Sequence, residues 1–210
     1  MECQPQPLLI PDPMLAQMPV HQLLAAFATE LPWLSHAYGL AQTGQRKVEN
    51  RTERYAQIYQ QDGSGRLLDI RPDAGMQALC FFERNGPSSF EWDEGAIGIS
   101  GSWTHPLALV LWANLPAIDH RGYDYSDALV SDAVRVLTQT APNAEVVTDE
   151  RRSDEVFRRY GWDVAQHQLM TYPYAAARLV FFAHSPGLVS CQGPFAVLNG
   201  PLDCAPNLRA

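Results

Sequence analysis

A chain of 210 residues with 46% hydrophobic content can bury one substantial core, or at most two small ones, so one domain with tails is expected. Fifteen basic against 23 acidic residues leave a formal charge of -8, which repels nucleic acid and anionic membranes; the basic clusters Arg46-Lys47, Arg151-Arg152 and Arg158-Arg159 are interrupted or flanked by acids. No apolar run approaches the roughly 20 residues that span a bilayer, and Met1-Glu2-Cys3-Gln4-Pro5 lacks the charged and apolar regions of a secretion signal, so the expectation is a soluble chain made in the cytoplasm.

Prolines at 5, 7, 11, 13 and 19 rule out a regular helix or interior strand at the start, and residues 1–19 read as an extended arm. From Val20 the spacing of Leu23, Leu24, Phe27, Ala28 and Leu31 predicts an amphipathic helix that Pro32 stops. A short second helical piece is expected between Trp33-Leu34 and Tyr38-Gly39, and residues 42–50 are polar enough for a loop. Tyr55 to Tyr59 alternates as a strand ending at Asp62-Gly63-Ser64-Gly65, with Leu67 to Ile70 returning beside it as a hairpin.

Ala78 to Glu83 reads as a short strand covered on both faces. Phe90-Glu91-Trp92 and the Gly- and Ser-rich Ile97 to Trp103 suggest an excursion from the sheet or a loop. Leu107 to Trp112, apolar at every position, predicts the central strand. Residues 114–123 form a polar connection, after which Asp124 or Ser126 can cap a helix with Leu129, Ala133, Val136 and Leu137 in one stripe, ended by Pro142. The mixed charge run Asp149 to Glu155 reads as a solvated helix start, and Ser153 can cap a short helix carrying Val156, Phe157 and Tyr160, with Gly161 as terminator. A last strand over about 175–183 puts Ala177, Leu179 and Phe181 on one face and Arg178, Val180 and Phe182 on the other, with Tyr172-Pro173-Tyr174 locking its start. Residues 185–210 read as an irregular tail in which Phe195 to Leu198 can add an edge strand. The predicted fold is α+β: one domain over 20–184, a mixed or antiparallel sheet flanked by two or three helices, with extended N- and C-terminal arms.

Chemistry-bearing motifs are sparse. Cys3, Cys80, Cys191 and Cys204 are widely spaced without C-x-x-C or a nearby histidine pair, so neither a metal site nor a disulfide framework is expected, and Cys80 reads as a buried small hydrophobe. The stretch Gly95 to Gly101 lacks the G-K-[ST] ending of a phosphate loop and the x-Gly that follows the serine of a nucleophile elbow. His105, His120, His167 and His184 are scattered; Asp119-His120 beside Asp124 is the best acid/base candidate, since a carboxylate can orient an imidazole, but such neighbours in a polar loop are ordinarily solvent contacts. Tyr55, Tyr59 and Trp112 are read as strand aromatics, with Trp112 in the core. Trp92 and Trp103, flanking the Gly-rich stretch, are candidates for a partner surface, joined by Arg151, Arg152, Arg158, Tyr172 and Tyr174. No catalytic residue, cofactor or metal is assigned.

The order of elements, with Val48-Glu49-Asn50-Arg51, Leu107 to Trp112 and Tyr172-Pro173-Tyr174-Ala175-Ala176-Ala177-Arg178, resembles phage tail terminator and neck or tail-completion proteins over about residues 20–184. The resemblance implies a small α+β structural subunit, not an enzyme, that assembles with itself, commonly as a hexameric ring, on the tail tube or against neck or connector proteins of the virion. Extended arms suit such a role by reaching a neighbouring subunit. The acidic total, the Gly-rich 95–102 and the tail of about 26 residues depart from that pattern, leaving open which ring is meant and whether the particle is a phage or a related injection system. The competing expectations are a small hydrolase using Asp119, His120 and Asp124, and a monomeric adaptor using Trp92 and Trp103.

Overall fold

Two apolar layers meet on opposite faces of one sheet, in the computed structural model of the chain, which describes residues 17–48, 51–59, 66–92, 100–141, 144–160 and 168–188. The main sheet has the order β1-β5-β7-β9-β8, with β6 also paired to β7. Its strands are β1 (His36–Leu40), β5 (Ala78–Arg84), β6 (Ser89–Trp92), β7 (Ser100–Asn114), β8 (Glu145–Glu150) and β9 (Tyr174–Leu188). A smaller antiparallel sheet carries β2 (Gln42–Val48), β3 (Arg51–Tyr59) and β4 (Leu67–Ile70) in chain order. The helices are α1 (Gln17–Glu30), α2 (Leu115–Ile118), α3 (Ser126–Thr140) and α4 (Ser153–Val156). Helices and a mixed sheet in this arrangement make the fold α+β, as the residue patterns predict.

The central ladder joins β7 to β9 without interruption, from Ser100↔Leu188 to Asn114↔Tyr174. Strand periodicity then sorts the residues. Cys80, Phe82, Leu109, Leu111, Ala177, Leu179 and Phe181 line the face covered by α1 and α3, where they meet Leu23, Phe27, Ala133, Val136 and Leu137. Leu79, Phe81, Val110 and Trp112 line the other face, covered by Ala56, Ile58 and Ile70 of the small sheet and by Val156, Phe157 and Tyr160. Cover on both sides is why β5 and the middle of β7 are apolar at nearly every position. Cys80 lies fully buried among these residues, and burial pushes its thiol up to about 12.

Pro106 sits in the middle of the central strand, where a missing N–H would ordinarily break a ladder. Its carbonyl accepts from Asn85, so the missing N–H points to the same side, toward residues 85–88 between β5 and β6. β5 and β6 are thus one interrupted strand running along β7, with the interruption at the proline. Gly101 is required where they close again: a Cβ there would lie 2.3 Å from the Glu91 carbonyl oxygen and against the Phe90 ring.

Several expectations are corrected. Residues 36–40, expected to be helical, form β1, which lies parallel to β5 and satisfies its backbone there. Residues 42–48, expected as a loop, form β2, paired residue for residue with β3; its polarity reflects exposure rather than irregularity. The hairpin read over 54–70 is therefore the second half of a three-stranded meander, and β3 starts at Arg51. Asp149 and Glu150 end a strand, β8, that the charge run concealed; only Ser153–Val156 is helical. The last strand runs to Leu188, past the expected boundary near 183, because β7 extends back to Ser100 to pair with it. Of the arm expected over 1–19, residues 17–19 instead open α1, where Pro19 falls in the first turn and its missing N–H would have no helical acceptor in any case. Residues 1–16, Gly161, Pro142, Cys191, Cys204, His167 and the tail from 189 onward lie outside the described residues, as do 93–99 of the Gly-rich stretch.

Candidate functional site

Three groupings of polar side chains stand out, and the first occupies the connection from β7 to α3. Asp119 accepts from Arg121 Nε at 2.8 Å and from the Tyr125 hydroxyl at 2.9 Å, so these two partners hold its carboxyl well below the usual carboxylate range. Asp124 accepts the backbone N–H of Ser126 at 2.9 Å, a side-chain turn that leads into α3; the cap position itself is taken by Tyr125 without a side-chain bond, so neither Asp124 nor Ser126 caps the helix as expected. Among the described residues no hydrogen bond joins His120 to Asp119 or Asp124, and both carboxylates are engaged by other groups. Arg121 instead lies over the Tyr123 ring at 6.0 Å, Tyr123 meets Tyr125 edge-on at 6.1 Å, and the Tyr172 hydroxyl donates to the Gly122 carbonyl at 3.2 Å. Gly122 has φ +73°, a turn conformation that side chains disfavour. The result is an exposed Arg-Tyr surface around Tyr123 and Tyr172, 63% and 64% exposed. Tyr172 was among the sequence candidates; Tyr123 was not, because its nearness to Tyr172 arises only when β7 and β9 pair.

The second grouping is buried. Arg178 of β9 has no exposed surface and bonds Glu83 of β5, while its Nη2 donates to Asn85 at 2.8 Å and its Nε faces Glu150 of β8 at 3.2 Å. Arg158 reaches Asn85 at 2.9 Å and Glu150 at 3.4 Å, and Tyr160 bonds Glu83; burial, with the Glu83 charge beside it, pushes the phenol's pKa up. These charges tie the segment after β8 to three strands. Arg158, a sequence candidate for a partner surface, is committed here within the chain.

His105 of β7 forms the third. Its Nδ1 lies 2.8 Å from the Ser88 hydroxyl and its Nε2 2.8 Å from that of Ser185, and Trp103 stacks on the ring. Hydroxyls both donate and accept, so either tautomer is satisfied. Burial, with Arg84 and His184 nearby, pushes the His105 pKa down. The folded protein thus resists a proton that the unfolded chain accepts, and the stability present above the ordinary histidine range is lost as pH falls through it toward the depressed folded value. Urea unfolding is expected to show stability falling from about pH 7.5 to about pH 5, with His105→Gln losing less over that interval than wild type; equal losses would assign the effect to other groups.

The remaining sequence candidates divide. Trp103 is half-buried, 5.1 Å from Phe90 and stacked on His105, and Tyr174 stacks on Trp112 at 5.4 Å, so both are packing residues in part. Arg151 bridges Asp149 at 2.6 Å and Asp127 at 3.1 Å, linking β8 to α3. Arg152 is exposed and follows Arg151. The Trp92 side chain lies outside the described residues; its backbone pairs with Gly101. The structure does not gather these residues into one patch.

What it does present are sheet edges. Among the described residues β1 pairs only with β5 and β8 only with β9, so the two ends of the main sheet are different strands with unpaired backbone groups. A bulge at Val147 interrupts β8, which limits pairing along that edge. On β4, an outer strand of the small sheet, Leu67 and Leu68 are exposed, beside the exposed Tyr59 of β3. No helix among the described residues is long and apolar enough to cross a membrane. No protein-family model matches the chain, and a search of curated proteins finds no match.

Proposed function

We propose that this chain is a non-enzymatic structural subunit of a phage or phage-like particle, joining copies of itself into a ring at the neck or at the end of the tail tube. The observation that carries the reading is the pair of unlike sheet edges, β1 on one side and β8 on the other. A contact between unlike surfaces of identical subunits is heterologous, and it closes into a ring when the rotation between neighbours divides a full turn. Exposed tyrosines beside Arg121 and the apolar β4 edge supply further contact area, of the composition that anchors protein interfaces. The acidic total suits protein neighbours better than nucleic acid.

Tagging the protein in its native host and imaging material from lysate by negative-stain electron microscopy tests this. Label at tail ends or in isolated rings is the expected result; a free monomer absent from every particle would sink the structural reading.

A further inference from the structure

The charge of this chain is unevenly placed. Residues 42–71 contain Arg46, Lys47, Arg51, Arg54, Arg66 and Arg71 against Glu49, Glu53, Asp62 and Asp69, a basic segment in a chain whose net charge is -8. On the hairpin of β2 and β3, Arg46 is neutralised by Glu53 at 2.6 Å across the strands. Lys47 and Arg54 are different. They occupy the opposite face, with Lys47 across from Thr52 and Arg54 across from Gln45. That makes them diagonal neighbours about 7–8 Å apart, both exposed, and among the described residues neither has an anionic partner. Further along the same face Ala56 and Ile58 are buried against the main sheet, so the core ends at Ala56 and the hairpin continues past it with these two exposed cations.

A complementary surface lies where β8 meets α3. Asp127, with a side chain 97% exposed, and Asp149 both pair with Arg151, and Asp124 lies within its electrostatic reach. Three carboxylates gather around the one guanidinium of Arg151. The hairpin belongs to the small sheet, whereas Asp149 is on β8 at an edge of the main sheet and Asp127 is on α3, so the two patches are carried by different elements.

We propose that the Lys47–Arg54 face of one copy docks on the Asp124, Asp127 and Asp149 surface of a second copy, which makes the hairpin one half of a heterologous self-contact. This rests on the ring reading above and names the surfaces that carry it. Unlike charges on two different surfaces of one subunit favour head-to-tail association and oppose the face-to-face pairing of like patches. The contact is salt-sensitive, since its charges are exposed.

The test is sedimentation velocity of the full chain at low and high salt, for wild type, Lys47→Glu/Arg54→Glu, Asp127→Lys, and the three substitutions together, each checked for folding by circular dichroism. Wild type is expected to assemble more strongly at low salt, with each reversal weakening assembly at least tenfold and the combination recovering most of it. Reversals that assemble like wild type would remove this contact while leaving the ring reading standing. A wild type that stays monomeric at every concentration removes both. If the hairpin reversal leaves assembly intact but abolishes binding of a fluorescent DNA duplex, the occupant is nucleic acid and the proposal fails.

Discussion

Replacing Arg178 with methionine is expected to lower stability by about 3–5 kcal/mol, the cost of leaving buried carboxylates without their cation. Glu83 and Arg178 are both essentially inaccessible, and Glu150 depends on the same guanidinium. For a chain of this size that loss corresponds to a fall in Tm of roughly 6–20 °C. Glu83→Leu in the same background should restore much of it, because two apolar groups of similar volume need no compensating charge. Thermal melts of the single and double variants decide the matter. A single variant within about 1 kcal/mol of wild type would mean that water already reaches the cluster.

The second large effect is expected at Trp112. Its ring is fully buried in the layer that holds the small sheet and the segment 153–160, stacks on Tyr174 at 5.4 Å, and donates from Nε1 to the Leu169 carbonyl at 2.5 Å. Trp112→Ala should cost about 3–5 kcal/mol through lost burial and the cavity left behind. Trp112→Phe keeps most of the apolar contact but strands the Leu169 carbonyl, a penalty of about 1–3 kcal/mol. Chemical denaturation of the two variants separates these contributions. Equal losses would mean that the hydrogen bond carries the site, and a loss below 1 kcal/mol for alanine would show that the layer closes over the gap.

Several parts of the fold were legible in the residues because they are governed by local periodicity. The stripe Leu129, Ala133, Val136 and Leu137 marked α3, the spacing of Leu23, Leu24 and Phe27 marked α1, and the unbroken apolar run 107–112 marked a strand covered on both sides. The alternation 177–182 placed Leu179 and Phe181 against the helices correctly. Strands β1, β2 and β8 escaped because short or polar edge strands carry little periodicity; they are strands because β5, β3 and β9 offer them hydrogen-bonding partners from elsewhere in the chain. The candidate surfaces followed the same division. Tyr172 could be marked by its chain neighbours, whereas its nearness to Tyr123 could not.

By itself the sequence determined the class of fold, the two helices with clear apolar stripes, the central strand and the acidic balance, since each depends on side chains near one another in the chain or on their sum. Only the tertiary structure decided that Glu83 and Arg178 share a buried bond, that His105 sits between Ser88 and Ser185, and that Lys47 and Arg54 stand together on one face of a hairpin. Those facts depend on strand register, and register is set by pairing between segments tens of residues apart, where one step moves every side chain to the opposite face.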